Sequence, residues 1–278
     1  MPPKFTIFFV AVSSLLLLIL PHETNAQDLC ELPKMRIYQR PGLGGPATEI
    51  TLGILVADIT DIDDVAQTIT GDFILQMRWK DERLAEQAGC RFPISKIWDP
   101  RLQLLNSSIL NAKQKFYKDQ VEIETGGQIR YYQRYVGSIS TYHHLARFPF
   151  DSQNFRIRIA SVDYNADDLI IKVDTEMTSL AELINIPDWT IGQVQAIAKT
   201  VKMAELREPR SIFILEIPAV RNSNFYIWKV LVPLTLIVMM SWVVFWINPV
   251  KFGPQLGLSA TAMLTLIAFQ FAQTGVLP

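Results

Sequence analysis

Four carboxylates, Asp58, Asp61, Asp63 and Asp64, crowd one short segment of the chain. Acidic groups at that density can take up a divalent cation or form a plain solvated turn. The Asp-x-Asp-Asp order lacks the glycine and terminal glutamate of a calcium loop, so no metal is expected. His143 and His144 are candidates for proton sensing, because histidine is the residue type used as a switch near physiological pH. As strand neighbours they point to opposite faces and do not share a metal. Tyr131, Tyr132 and Tyr135 either offer aromatic faces to a cation or simply pack. Cys30 and Cys90 are the only cysteines. In an exported domain they form a disulfide or remain two thiols. There is no nucleophile motif, metal-ligand spacing or glycine-rich phosphate loop. Enzymatic activity and cofactors are therefore not expected.

A different chemistry runs along the C-terminal stretch. Between residues 230 and 278 the only charge is Lys251. Residues 230–247 can span a bilayer, with Tyr226, Trp228 and Trp246 as interfacial anchors. Asn248-Pro249 breaks that helix, and Gly253-Pro254 precedes a second span over 256–277. The second span carries Ser259, Thr261, Thr265, Gln270, Gln273 and Thr274, and polar groups in hydrocarbon are costly unless they face protein or water. Gly257, Thr261, Leu264, Ala268, Phe271 and Gly275 alternate at spacings of four and three, on one helical face. Such a stripe fits the wall of a narrow pore with apolar constrictions. It fits equally a packed helix that uses small residues for close approach.

The elements that position these groups read as follows. Lys4, an apolar run over 5–20 and the small-residue end Thr24-Asn25-Ala26 predict a signal peptide over 1–26, the alternative being an uncleaved anchor. Residues 27–222 are broken into short β-type runs at 48–59, 68–80, 128–140, 154–160, 169–174, 190–202 and 211–220. Phe73, Leu75 and Met77 alternate with Ile74, Gln76 and Arg78. The pattern predicts an all-β, immunoglobulin-like antiparallel sandwich of about ten strands. A membrane region over 223–278 follows, with helices at about 226–247 and 254–277. Export of the sandwich puts the Lys251 loop in the cytoplasm, in keeping with the positive-inside rule. The formal net charge is −1 and no basic cluster occurs, which excludes nucleic acid as a partner.

Phe148-Pro149-Phe150-Asp151-Ser152-Gln153 resembles the signature loop of the Cys-loop receptors, the pentameric ligand-gated ion channels. Trp79-Lys80-Asp81-Glu82-Arg83-Leu84, Trp98-Asp99-Pro100 with Asn106, Arg221 with Phe225-Tyr226, Pro233, Ser241-Trp242 with Phe245-Trp246, and Leu277-Pro278 follow in the family's order. Thr141 and Phe155 stand where animal members carry the bracketing cysteines. This departure resembles the prokaryotic channels of Gloeobacter and Erwinia.

The resemblance implies a homopentamer in the plasma membrane, or the inner membrane of a bacterium. Its sandwich would be extracellular or periplasmic, and its partners would be the lipid bilayer, a small-molecule or proton agonist, and permeant inorganic ions. The family pattern has four membrane helices, so the chain reads as a subunit cut short after the second. The rival readings are a non-conducting, membrane-tethered ligand-binding or regulatory subunit and a periplasmic enzyme. The resemblance assigns the pore and gate to Gly257, Thr261, Leu264, Ala268 and Phe271. It assigns coupling to Asp151 paired with Arg221, to Pro149, and to Asp64 in the acidic turn, whose carboxylates could transmit motion to the membrane. At the agonist positions stand Ile74, Leu105 and Val162, with Tyr131 nearby, and the expected capping loop 203–210 has no aromatic. A cation–π cage is therefore not expected. Gln255 stands where an anion channel would carry Arg, and no carboxylate occupies the start of the second helix, which leans weakly to anion or poorly selective conduction.

Overall fold

The computed structural model describes residues 30–109, 119–182, 184–202, 208–248, 250 and 252–273. The expected signal peptide, the Lys251 loop, most of the expected capping loop and residues 274–278 lie outside them. Among the described residues, thirteen strands form two sheets. They are β1 Thr48–Asp63, β2 Thr68–Lys80, β3 Arg91–Pro93, β4 Leu102–Leu104, β5 Ser107–Ile109, β6 Gln120–Glu124, β7 Gln128–Ser140, β8 Ser152–Ser161, β9 Leu169–Val173, β10 Ser179–Leu180, β11 Trp189–Ile191, β12 Gln195–Val201 and β13 Arg210–Arg221. The larger sheet runs β10-β1-β2-β7-β6-β3, with β5 added to β7 and β9 to β1. The smaller runs β11-β13-β8-β4, with β12 added to β13. Both are antiparallel except where β9 and β10 lie parallel to β1.

Alternation dictates the packing. Phe73, Leu75, Met77 and Trp79 of β2 face inward and meet Phe155, Phe213 and Leu215 of the smaller sheet in one apolar core. Trp79 and Trp98 meet edge-to-face with centroids 6.2 Å apart, and the Trp98 indole donates to Tyr164 Oη at 2.8 Å. Asp81 is fully buried, and its carboxylate accepts from the Arg83 backbone N–H at 3.1 Å and the Arg83 guanidinium at 2.8 and 2.6 Å. That pairing closes the turn that seats Leu84 in the core. Gly127 lies against it at φ +76°, and a Cβ there would come within 2.3 Å of the Asp81 carbonyl, so only glycine fits.

Two expected boundaries shift for physical reasons. β1 runs on to Asp63 through register shifts at Val56/Asp58 and Ile59/Asp61, so Asp58, Asp61 and Asp63 belong to a strand rather than a turn. The run at 190–202 is two strands. Pro218 of β13 offers no N–H at that point, and its carbonyl is met instead by Gly192 N at 2.7 Å.

Cys30 and Cys90 are joined by a disulfide, Cα–Cα 5.7 Å, that closes a separation of 60 residues. Loop-closure entropy of that size removes about 4 kcal/mol of freedom from the unfolded chain. Reducing the bond, or Cys90→Ser, is expected to lower sandwich stability by about that amount. Urea unfolding followed by tryptophan fluorescence reads it, and an unchanged midpoint contradicts it.

Two helices follow, Asn224–Trp246 and Phe252–Ala272, each long and apolar enough to cross a membrane. The first includes a wide π-type turn at Ile227–Leu231, just before Pro233. The second begins at Phe252, before Gly253-Pro254. Pro254 therefore sits in the first turn, where its missing N–H leaves no bond unmade.

Candidate functional site

Arg221 is the last residue of β13, and the first helix starts three residues later at Asn224. Its side chain is 1% exposed, so every donor must be met inside the protein. Nε donates to Asp151 Oδ1 at 2.7 Å and Nη2 to Asp151 Oδ2 at 3.2 Å. Nη1 donates to Asp64 Oδ2 at 2.7 Å, Nη2 to Asp64 Oδ1 at 3.0 Å, and Nη1 again to Tyr226 Oη at 3.4 Å. All five guanidinium N–H groups are thus used. The Trp189 ring lies 4.1 Å from the guanidinium carbon and the Phe148 ring 4.9 Å, which excludes water from the pair of ion pairs.

Each carboxylate is itself held. Asp151 Oδ2 accepts from Gln153 Nε2 at 2.6 Å, and Gln153 also bonds the His144 backbone N–H and carbonyl, each at 2.9 Å. Asp64 Oδ1 accepts from His143 Nδ1 at 2.9 Å, while His143 Nε2 meets Thr141 Oγ at 2.8 Å. The His143 ring packs on Phe155 at 5.1 Å, and Phe155 packs on Trp189 at 5.6 Å. Four segments therefore meet at one cation: the turn after β1, the loop before β8, β11 through Trp189 and the end of β13, with His143 of the stretch after β7 behind Asp64. Tyr226 brings in the first helix.

Burial pushes the Asp64 carboxyl up, but hydrogen bonds from His143 and Arg221 outweigh it and hold it below the ordinary carboxylate value. Burial acts likewise on Asp151, and Arg221 and Gln153 again outweigh it. Arg221 loses by burial and gains more from its two carboxylates, so its guanidinium is held charged. A depressed carboxylate pKa adds stability that is complete above the unfolded value and is lost as pH falls through the folded one. The junction is therefore expected to be intact at neutral pH and to loosen below about pH 4. Amide exchange of the 141–153 segment across that range checks it. Asp64→Asn should flatten the acid limb, and a limb of unchanged depth in that variant contradicts the assignment.

The structure thus brings together Asp64, Asp151 and Arg221. Pro149 lies in the same loop, joined to Phe148 by a cis peptide bond. The sequence marks His143 as a proton-sensing candidate and Gln153 as part of the signature loop, but not as the partners of Asp64 and Asp151, and it gives no role to Trp189. The alternation of buried Thr141 and His143 with exposed Tyr142 and His144 was the available signal. Asn106 also proves structural. Its Nδ2 donates to the Ser140 and Arg156 carbonyls, both at 2.7 Å, and its Oδ1 accepts from Arg158 N at 3.0 Å, tying the two sheets.

Gly257, Thr261, Leu264, Ala268 and Phe271 share one exposed side of the second helix, with Leu264 68% and Phe271 76% exposed. The better-covered residues Gln255, Leu258, Ala262 and Phe269 lie on another side. Thr261 Oγ donates to the Gly257 carbonyl and Thr265 Oγ to the Thr261 carbonyl, both at 2.8 Å, so these hydroxyls are satisfied within the helix. Their polarity alone does not demand water.

Among the described residues, Leu105 and Tyr131 border two different cavities, and Ile74 and Val162 line neither of them. Ile74 is half-buried on β2 opposite Arg134 of β7. Leu105 borders a groove of about 480 Å³ on the smaller sheet. Val162 follows β8 and is 37% exposed. Tyr131 is largely buried, its hydroxyl donates to Asp119 at 3.1 Å, and it lines a different cavity, of about 390 Å³, together with Gln133 and Tyr135.

The neurotransmitter-gated ion-channel ligand-binding domain matches residues 32–217. The chain is 27% identical over 242 residues to a γ-aminobutyric acid receptor subunit beta of Caenorhabditis elegans, covering 83% of this chain and 43% of that protein. It is 26% identical over 258 residues to the human γ-aminobutyric acid receptor subunit rho-1, covering 87% of this chain and 53% of that protein. The chain spans about half the length of these curated relatives. With a two-sheet sandwich followed by two membrane-length apolar helices, the chain belongs to the neurotransmitter-gated ion-channel ligand-binding domain family, within the Cys-loop superfamily.

Proposed function

We propose that the chain is a subunit of a pentameric ligand-gated channel. Residues 1–26 serve as its signal peptide, 27–222 as the exposed sandwich and 223–278 as membrane region. The observation that carries this reading is the buried Arg221 cluster. It joins the two loops at one end of the sandwich to the strand that runs directly into the first helix. Agonist binding between neighbouring sandwiches shifts these loops, the cluster passes the shift to the helix, and the second helix opens a pore along its 257/261/264/268/271 side. Copies of the chain assemble around that pore. Ile74, Leu105 and Val162 lie on separate parts of one sandwich, as expected of a pocket completed by a neighbour.

Thr141 and Phe155 in place of bracketing cysteines support a prokaryotic-type subunit with its sandwich in the periplasm. The second helix carries no carboxylate between Phe252 and Ala272, which supports anion conduction. γ-Aminobutyric acid, after which the relatives are named, is the first agonist to apply, with protons the second. In proteoliposome patches, either should open currents whose reversal potential follows an imposed chloride gradient. Agonist-opened currents that ignore that gradient contradict anion selectivity, and silence under both agonists contradicts the channel reading.

A further inference from the structure

Beside the Arg221 cluster, on the flank of the sandwich, lies an open cavity of about 700 Å³ between the turn after β1, the end of β7 and the outer face of β8. That volume suits a small organic molecule. Among the described residues, no carboxylate lines it, whereas Arg156, Arg158, His144 and Tyr142 do. Arg156 is neutralised by Glu216, Nε to Oε1 at 2.8 Å. The Arg158 guanidinium has no hydrogen-bonded or ion-pair partner among the described residues, while its backbone is fixed by Asn106. The imidazole of His144 carries an N–H in any tautomer, and its ring stands edge-on to Tyr142 at 4.9 Å. An unpaired guanidinium flanked by neutral donors favours an oxyanion, and its planar fork matches a carboxylate.

The rear wall of the cavity is made by Thr141 and Gln153. These are the residues that hold His143, at 2.8 Å, and Asp151, at 2.6 Å. We infer that this cavity binds a small carboxylate ligand at Arg158, and that the bound anion stiffens the Thr141–Gln153 segment behind it. None of the proposed agonist residues Ile74, Leu105, Val162 and Tyr131 lines this cavity, although Asn106, Arg156 and Arg158 also line the neighbouring groove that Leu105 borders. The site does not depend on whether the protein conducts.

The test uses the full chain in lipid nanodiscs titrated with succinate. Its uncharged diamide serves as the charge control and inorganic phosphate as the alternative oxyanion. Succinate should bind saturably and slow amide exchange across residues 140–154. Arg158→Gln removes an exposed side chain with no intramolecular partner, so folding is preserved, and succinate should bind about tenfold more weakly with the exchange effect lost. Arg91→Gln, outside the cavity on β3, should bind as the parent does. Equal succinate affinity in parent and Arg158→Gln overturns the site. So does equal binding of the diamide, saturable binding of phosphate without succinate, or the absence of saturable binding.

Discussion

Arg221→Gln is expected to abolish agonist-evoked current while pentamers still reach the membrane. The substitution leaves Asp64 and Asp151 facing each other across a dry pocket without their shared cation. Removing one member of a buried ion pair costs about 3–5 kcal/mol, because the partner charge stays behind. Here two partners are stranded, and His143 supports only Asp64. Asp151→Asn should cost less, since Arg221 keeps its two bonds to Asp64. Arg221→Lys should not rescue. An ammonium has three donors, whereas five N–H groups are used here in a fixed plane against the Trp189 ring. The readout is current normalised to surface-labelled protein, together with a double-mutant cycle between positions 64 and 221. Normal agonist responses in Arg221→Gln reject the coupling role. A loss of surface protein equal to the loss of current assigns the cluster to assembly alone.

Much of the sandwich is legible in the residues. β2 and β7 end where alternation ends, at Thr68–Lys80 and Gln128–Ser140, because each long strand buries one face against the core and wets the other. The short strands β3, β4, β5, β6 and β10 are not legible. Two to five residues hold too little pattern, and their pairing is decided by the longer strand beside them. The β11/β12 break at Gly192 needs Pro218 opposite it, and that opposition is visible only once the register is known.

The site divides along the same line. Asp151, Arg221 and Asp64 were within reach because each belongs to a segment the family resemblance marks. His143 was read as an isolated titratable group. What makes it a partner of Asp64 is the turn after β1, brought to it across 79 residues. Tyr131 does border a cavity, with Gln133 and Tyr135, but strand parity turns its hydroxyl to Asp119 at the wall of that cavity. The hydroxyls of the second helix were read as needing water or protein. Bonds to carbonyls one turn earlier already satisfy Thr261 and Thr265. The stripe lies on a side away from the covered residues Leu258 and Ala262, but Leu256 and Met263 outside it are as exposed as Leu264, so exposure in one chain does not set it apart.

That side carries the second large expected effect. If it lines water, cysteines placed at 261, 264 and 268 of the assembled channel will ionise and react with a water-soluble thiol reagent. A thiol held in lipid or packed protein stays protonated and inert. A charged adduct at Leu264 or Ala268 would sit in the narrow part of the passage and block it, both sterically and by its own field. Modification there should remove nearly all agonist-evoked current, whereas adducts at 258 or 262 should leave it largely unchanged. The most direct measurement is therefore the rate of reagent modification at each position from 255 to 271, one engineered cysteine at a time, with agonist present. The account predicts maxima at 257, 261, 264, 268 and 271, at least about tenfold above the positions between them. Uniform rates around the helix, or maxima at 258, 262 and 269, would contradict it.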